Sequence, residues 1–428
     1  MKKHCLWYNV YRKEFEFFNG FNKRKAWSED KVDNPENRSN AQKPTSRMSI
    51  LLFFVLLVTV LCAAAVAYLN SKGIDIKEIS LKDVIENGFF IGEKDSYEVE
   101  CKEIKYGTNV QQEFVVHKDF IVRCTKSGIE YFDKNGEEKW LFPVVLNKPY
   151  VKSSGKYLFV SDLETKDVYV FSGKEKIWED RLEYSILSAD INSSGYVTVV
   201  HKSDRNKSAV SVYNREGAFL FTKIKAESFV LSAGVSPDTK NVFINSIDYS
   251  GVNSNTGLDL YTISGGDIKG KKFENTILAS IWFLKDDTIA AAGDSEIFLL
   301  EKDLEIKWSE TISGKVMSSN VMKNKYAVFA FSSGENIGIL NSDKSNVLIV
   351  DGKGRKVANF KLSQDIVNIS CGESFIAVNT GRNIYFIDVA GQLRGSVNFE
   401  MDIKSIQFFN DREALAVTRD GVVVLKLK

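Results

Sequence analysis

The chain has 428 residues and a formal net charge of +1, so its overall charge implies no polyanionic partner such as a nucleic acid. Its content of Val, Ile, Phe and Tyr, with five Pro in all, favours β-structure over helices. The five Cys are too widely spaced for a disulfide framework; we expect buried thiols, with a Cys101–Cys124 bridge as the alternative.

Residues 1–48 form a polar tail with 11 Lys and Arg against 6 Asp and Glu, a net charge of about +5. By the positive-inside rule this excess predicts a cytoplasmic N-terminus. Aromatic residues recur every three or four positions, which predicts a helix in the headgroup region of the membrane, with a disordered tail as the alternative. These residues are Trp7, Tyr8, Tyr11, Phe15, Phe18 and Phe21.

The segment Ile50–Leu69 contains no charge, Pro or Gly. About 20 residues of helix span roughly 30 Å, the thickness of the hydrocarbon core of a bilayer. We therefore predict one transmembrane signal-anchor helix over 49–69, which contacts the lipid bilayer and places the body outside the cytoplasm, at the plasma membrane. The stretch Ala65-Val66-Ala67 leaves a cleaved signal peptide as the alternative if translation starts at Met48.

After a linker over 70–95, a β-hairpin recurs about every 42 residues, the period of a four-stranded propeller blade. Two earlier strands precede each hairpin, and the last repeat lacks its fourth strand, which Tyr97–Tyr106 could supply. The sequence predicts an all-β fold over 96–428: an eight-bladed β-propeller, with seven blades as the alternative. The hairpins are IEYFDKNGEEKW, VYVFSGKEKIW, VSVYNREGAFL, LYTISGGDIKG, IFLLEKDLEIKW, VLIVDGKGRKV and IYFIDVAGQLR.

Hairpins with an acidic residue, a Gly and a closing Trp resemble the repeats of quinoprotein-like propellers, and Ser236-Pro237-Asp238 resembles a turn of WD-type propellers. With its basic tail and single span, the whole chain is similar to a family of uncharacterised single-span propeller proteins of Gram-positive bacteria. The resemblance implies a propeller and this topology, and it implies no activity.

Residue types needed for catalysis are scarce. The body contains only His117 and His201, which the pattern places at strand ends, and no nucleophile elbow or phosphate-binding loop is present. Quinone-dependent propeller dehydrogenases use, by resemblance, a vicinal Cys pair, which this sequence lacks. We therefore predict no enzyme activity, no metal and no cofactor, and keep a hydrolase with paired carboxylates as a remote rival.

The four Trp of the body could line a sugar-binding groove, but Trp140, Trp178 and Trp308 share one position in the repeat, which favours packing between blades; Trp282 is the fourth. The remaining functional signal is three long polar loops between the second and third strands of a blade, at 203–208, 246–257 and 332–346. All three emerge on one rim of the ring, where binding sites are common. The candidate contact residues are Tyr249, Asn253, Asn255, Asn336 and Asn341.

These observations predict a membrane-anchored scaffold that assembles proteins of the cell envelope through its extracytoplasmic propeller. The alternative is a receptor for a small ligand or a cell-wall glycan in the propeller funnel. The partner is an envelope protein of unknown identity, and no nucleic acid is involved.

Overall fold

The computed structural model describes residues 56–57, 59–60, 96–107, 112–163, 165–204, 208–251, 254–285, 287–333 and 344–428. Leu56, Leu57, Thr59 and Val60 are helical. No helix within these ranges is long and apolar enough to cross a membrane. The predicted tail, the linker and most of Ile50–Leu69 lie outside the described residues, so the transmembrane helix stays a prediction.

The described part of the body contains 32 strands in eight four-stranded antiparallel sheets. Blades 1 to 4 are β2 (Glu113–His117), β3 (Phe120–Thr125), β4 (Gly128–Phe132), β5 (Glu138–Pro143); β6 (Pro149–Ser154), β7 (Tyr157–Asp162), β8 (Asp167–Ser172), β9 (Glu175–Arg181); β10 (Ile186–Ile191), β11 (Val197–His201), β12 (Ser208–Tyr213), β13 (Phe219–Lys225); β14 (Phe229–Val235), β15 (Asn241–Asp248), β16 (Asn255–Thr262), β17 (Asp267–Phe273).

Blades 5 to 8 complete the ring, and the last of them takes its fourth strand, β1 (Val99–Lys105), from the start of the propeller. They are β18 (Ser280–Phe283), β19 (Ile289–Ala292), β20 (Glu296–Leu300), β21 (Ile306–Thr311); β22 (Val316–Met322), β23 (Tyr326–Ser332), β24 (Ser345–Asp351), β25 (Lys356–Leu362); β26 (Asn368–Cys371), β27 (Phe375–Asn379), β28 (Asn383–Asp388), β29 (Leu393–Asn398); β30 (Ser405–Asn410), β31 (Glu413–Val417), β32 (Gly421–Leu427).

The eight sheets form a closed propeller. The first strand of each blade is the innermost: seven of the eight neighbouring pairs of these strands pack closely against each other, including β30 with β2, and the exception is the pair β14 and β18, which packs less closely. The ring closes because β1 pairs with β32 over seven residues, from Val99 opposite Leu427 to Lys105 opposite Gly421. Gln407 of β30 also accepts a hydrogen bond from the Val116 amide at 2.9 Å. The predictions of eight blades and of a closing strand ahead of the first blade are confirmed.

The hydrophobic core lies between the blades. Eight clusters of buried side chains each join two successive blades, including one that joins blade 8 to blade 1. Burying both faces of every sheet against its neighbours explains why the second and third strands of the blades alternate so little in polarity. A side chain in this core therefore stabilises a blade interface.

A recurring turn joins the third and fourth strands of four of the eight blades. In blade 1 the Asp133 carboxylate accepts hydrogen bonds from the amides of Asn135 (2.8 Å) and Glu137 (3.0 Å), and Gly136 has a φ of +86°. Asn214, Asp351 and Asp388 repeat this pattern in blades 3, 6 and 7. An Asx side chain and a left-handed Gly fix a tight hairpin, so the repeated sequence signature is a turn requirement.

The outer-strand Trp residues pack against these turns of the following blade. A Cβ on Gly217 would lie 2.7 Å from Cγ of Trp178, and one on Gly354 would lie 2.7 Å from Cγ of Trp308. The Trp140 ring lies 5.7 Å from the ring of Phe171 in blade 2. The prediction that these three Trp pack between blades is confirmed, whereas Trp282 lies on the inner strand β18.

We expect Gly354→Ala to lower the free energy of unfolding of the propeller by about 2–4 kcal/mol. The new Cβ would strain the left-handed backbone conformation at this position, and it would also clash with the Trp308 ring. Gly352, in the same turn, is the matched control, because a Cβ there would meet nothing within 4 Å. Thermal unfolding of both variants tests this. A Gly352→Ala loss equal to that of Gly354→Ala would contradict the packing role of Gly354.

The three body cysteines are free. Cys124 is buried in the core between blades 1 and 2, and Cys371 is partly buried. The expectation of buried thiols was wrong for Cys101, which is exposed because β1 is the outermost strand of blade 8.

Candidate functional site

Strand direction gives the propeller two distinct faces. Every inner strand runs from the face that carries the links between blades to the face that carries the turns. We call the first the loop face, because the long connections between second and third strands also emerge there, and the second the turn face. Val99 and Lys428 lie together on the turn face, where the Lys428 amide donates to Glu98 O at 2.9 Å. Neither end of the propeller chain therefore emerges on the loop face.

The two candidate residues that the structure describes, Tyr249 and Asn255, lie on the loop face of blade 4. The Tyr249 side chain is 54% exposed, and its ring lies 6.4 Å from that of Phe229, at the start of β14. The Asp248 carboxylate fixes the start of this loop by accepting from the Ser250 amide at 2.9 Å. The loop is shorter than the predicted 246–257, because β15 continues to Asp248 and β16 already begins at Asn255.

Asn255 is a structural residue, since its side-chain Oδ1 accepts a hydrogen bond from the Asn275 amide at 3.2 Å. Asn253, Asn336 and Asn341 lie outside the described residues, and their assignment as contact residues stays a prediction. The structure therefore brings Tyr249 and Phe229 together as an exposed aromatic pair and gives Asn255 a role in the link to blade 5.

Sequence reasoning missed an apolar ring on the loop face. The exposed large apolar side chains of the described propeller are confined to the outer strands and to the loop face; none lies on the turn face. Those on the loop face lie in the first residues of inner strands or in the links before them, except Tyr249, which lies in the loop between β15 and β16 beside Phe229. This apolar ring consists of Val145, Leu187, Phe229, Leu231, Tyr249, Met317, Val367 and Met401. Exposed apolar side chains that are concentrated on one face of a domain are typical of a protein-binding site.

The central channel holds a cavity of about 560 Å³, lined mainly by inner strands of blades 2 to 6; Leu231 of the apolar ring is among its lining residues. It reaches the turn face at Pro237 and Asn324. Trp282 lines this cavity and donates from its indole Nε1 to Ser319 Oγ at 2.9 Å. The volume lies in the range of small-molecule pockets, so the channel is a second candidate site.

Both body histidines end strands, as predicted. His117 Nδ1 lies 3.0 Å from Ser153 Oγ, and burial lowers the pKa of this imidazole to about 4. His201 Nδ1 lies 2.7 Å from Lys202 O, and its Nε2 lies 2.9 Å from Ser211 Oγ. The described residues contain no group of three or more His, Cys, Asp or Glu that could hold a metal ion. These imidazoles join strands and blades through hydrogen bonds.

Comparison with known proteins identifies a family and a fold. Residues 92–427 match the model of a family of unknown function, DUF5711. No curated protein matches the sequence.

Three solved structures are similar to this chain. BamB from Moraxella catarrhalis has 13% identity and a TM-score of 0.51, over 78% of this chain and 99% of BamB. Sqt1 from Chaetomium thermophilum has 9% identity and a TM-score of 0.54, over 77% and 100%. The C-terminal WD40 domain of Sif2 has 10% identity and a TM-score of 0.56, over 76% and 99%. At such identities the similarity shows the propeller fold alone.

Proposed function

The chain belongs to the DUF5711 family of unknown function, and we propose that it is a membrane-anchored scaffold whose propeller binds an envelope protein through its loop face. The observation that carries this proposal is the apolar ring around the channel mouth, together with the exposed Phe229–Tyr249 pair. Aromatic and Met side chains are enriched at protein interfaces. The partner accordingly presents a largely apolar, uncharged surface to this face.

The anchoring part of the proposal rests on the sequence. The apolar segment Ile50–Leu69 is long enough to span a bilayer, and the basic tail before it favours a cytoplasmic N-terminus. Val99, at the start of the closing strand, and Lys428 both lie on the turn face, on the opposite side of the propeller from the proposed binding face. The envelope setting and the source in Gram-positive bacteria, which the family resemblance implies, belong to this proposal as well.

Crosslinking from intact cells, with the tag on the propeller, tests the proposal. We expect a short reproducible set of envelope proteins, and labelling of the tag by a membrane-impermeant reagent. A cytoplasmic tag would refute the topology. A folded, extracytoplasmic propeller that captures no protein would refute the scaffold.

We expect the double variant Phe229→Ser, Tyr249→Ser to weaken capture of that partner by about tenfold or more, because exposed aromatic pairs are frequent hot spots of binding. Thermal stability should change little, since both side chains are exposed, Phe229 at 44%. Quantitative crosslinking of the captured partner measures the effect.

Phe219→Ser is the matched control. Phe219 is 58% exposed but lies on the outer strand β13, away from the loop face. This control should capture the partner as the unchanged protein does. Equal loss in the control and the double variant would show that exposed aromatic residues in general, and not the loop face, mediate capture.

A further inference from the structure

Charged side chains are almost absent from the eight inner strands. They occur at three positions only: Glu113 at the first residue of β2, Lys152 in the middle of β6, and Asp190 near the end of β10. Glu113 lies at the loop-face end of its strand, whereas Lys152 and Asp190 lie deeper, on inner strands of adjacent blades. Both line the 560 Å³ cavity. The channel therefore contains one ammonium and one carboxylate side by side.

Neither Lys152 nor Asp190 joins two blades through an ion pair within the described residues. Other groups of the cavity join the blades: Tyr150 donates to Ala189 O at 2.8 Å, and Ser319 links Ser280 and Trp282. Lys152 and Asp190 are exposed to the channel, and within the described residues neither forms an ion pair. The Lys152 ammonium lies 6.0 Å from the centre of the Tyr150 ring, and the Asp190 carboxylate accepts a hydrogen bond from the Ile191 amide. An ammonium and a carboxylate that line a cavity without a partner of opposite charge in direct contact are available to a ligand.

The position of the Asp190 carboxylate is set by its neighbour. A Cβ on Gly234 of β14 would lie 3.3 Å from Asp190 Oδ2 and 2.7 Å from the Phe243 ring. The carboxylate thus lies next to the Gly234 backbone of the next blade, and a Cβ at 234 would crowd it and clash with the Phe243 ring. Hydroxyl groups of Ser188 and Ser232 line the same cavity and supply neutral donors and acceptors.

We propose that the channel cavity binds a small zwitterion, a free amino acid or a short peptide, with the ligand ammonium on Asp190 and the ligand carboxylate on Lys152. A single charge on the ligand would leave one of the two protein charges without a partner, whereas a zwitterion satisfies both through charge-assisted hydrogen bonds. The cavity volume accommodates either source. Leu231 belongs to both this cavity and the apolar ring, but Lys152 and Asp190 are not part of the ring, so the proposal does not depend on the proposed scaffold role.

Binding of this kind depends on pH. Although Asp190 is open to the channel, desolvation by the surrounding protein walls raises the pKa of its carboxyl to about 6, while the Lys152 ammonium and the hydrogen bond from the Ile191 amide oppose the rise; the Tyr150 hydroxyl is the other titratable group beside them. The ligand ammonium requires the ionised carboxylate. Affinity should therefore hold above pH 7 and fall by about tenfold between pH 7 and pH 5, as Asp190 takes up a proton.

Calorimetric titration of the full-length chain in detergent tests the proposal, with each of the 20 free amino acids and L-alanyl-L-alanine as probes. We expect saturable binding of at least one probe, and at least a tenfold loss in both Asp190→Asn and Lys152→Gln. Blocking the probe amine by acetylation, or its carboxylate by amidation, should abolish binding. Binding of an amino acid but not the dipeptide, or the reverse, identifies the source of the zwitterion.

Lys156→Gln and Asp180→Asn are the matched controls, because they remove the same charges from exposed positions outside the cavity. Both should keep the affinity of the unchanged chain. Failure of every probe to bind saturably would overturn the proposal. Binding that survives in both channel variants, or that is indifferent to acetylation and amidation, would overturn it as well.

Discussion

Trp178→Ala should lower the free energy of unfolding of the propeller by about 3–5 kcal/mol, the usual cost of removing a large buried aromatic side chain. The ring is 9% exposed, belongs to the core between blades 2 and 3, and lies over Gly217 of the following blade and 5.7 Å from the Tyr213 ring. Its loss would leave a cavity at that interface, which the rigid turn at Gly217 cannot close. Chemical denaturation of the two proteins measures the difference.

Two further variants test whether the stability comes from packing of the Trp178 ring over Gly217. Ile177→Ala changes the adjacent residue of β9, which is 38% exposed, and should cost less than about 1 kcal/mol. Trp178→Phe should recover most of the stability, because the ring over Gly217 remains and the indole Nε1, which is buried without a partner, is removed. A Phe variant as unstable as the Ala variant would mean that packing over Gly217 is not the source of the stability.

The sequence predicts the fold well because its signals are local. The hairpin with an Asx residue and a Gly encodes its own turn, as Asp133 and Gly136 show, and this turn recurs with the period of a blade. The missing strand of the last repeat could also be anticipated, since one spare strand precedes the first blade. The assignment of Trp178 to a blade interface follows from the same periodicity.

The sites could not be predicted in the same way, because they depend on ring closure. An apolar residue such as Leu187 or Met317 looks identical in sequence whether it packs against the next blade or opens onto the channel mouth. Lys152 and Asp190 are one repeat apart, and only the ring places them in one cavity. The sequence instead predicts contact residues in the polar loops. Of the candidates that the structure describes, Tyr249 is part of the exposed surface, whereas the Asn255 side chain accepts a hydrogen bond from the link to blade 5.

Removing β1 should have the largest effect on the molecule. A chain that starts at residue 106 loses the seven-residue pairing with β32 and also Ile104, which packs over Gly136 of blade 1. At a net 0.5–1.5 kcal/mol for each hydrogen bond, the ladder alone is worth on the order of 5 kcal/mol, comparable with the total stability of many domains. The chain that starts at residue 96 is the matched control and should unfold cooperatively at the temperature of the full propeller.

Removing β1 would also leave the edge of strand β32 without a pairing partner. Strand β32, with the sequence GVVVLKL, would present unpaired amides and carbonyls on an apolar strand, and such edges pair with other chains. We expect the chain from residue 106 to self-associate in light scattering, and a synthetic peptide of residues 96–107 to restore the monomer. The same peptide with Ile104→Asp should fail, because a carboxylate cannot occupy the apolar contact over Gly136. A truncated chain that stays monomeric with an unchanged Tm would contradict the role of β1 as the closing strand.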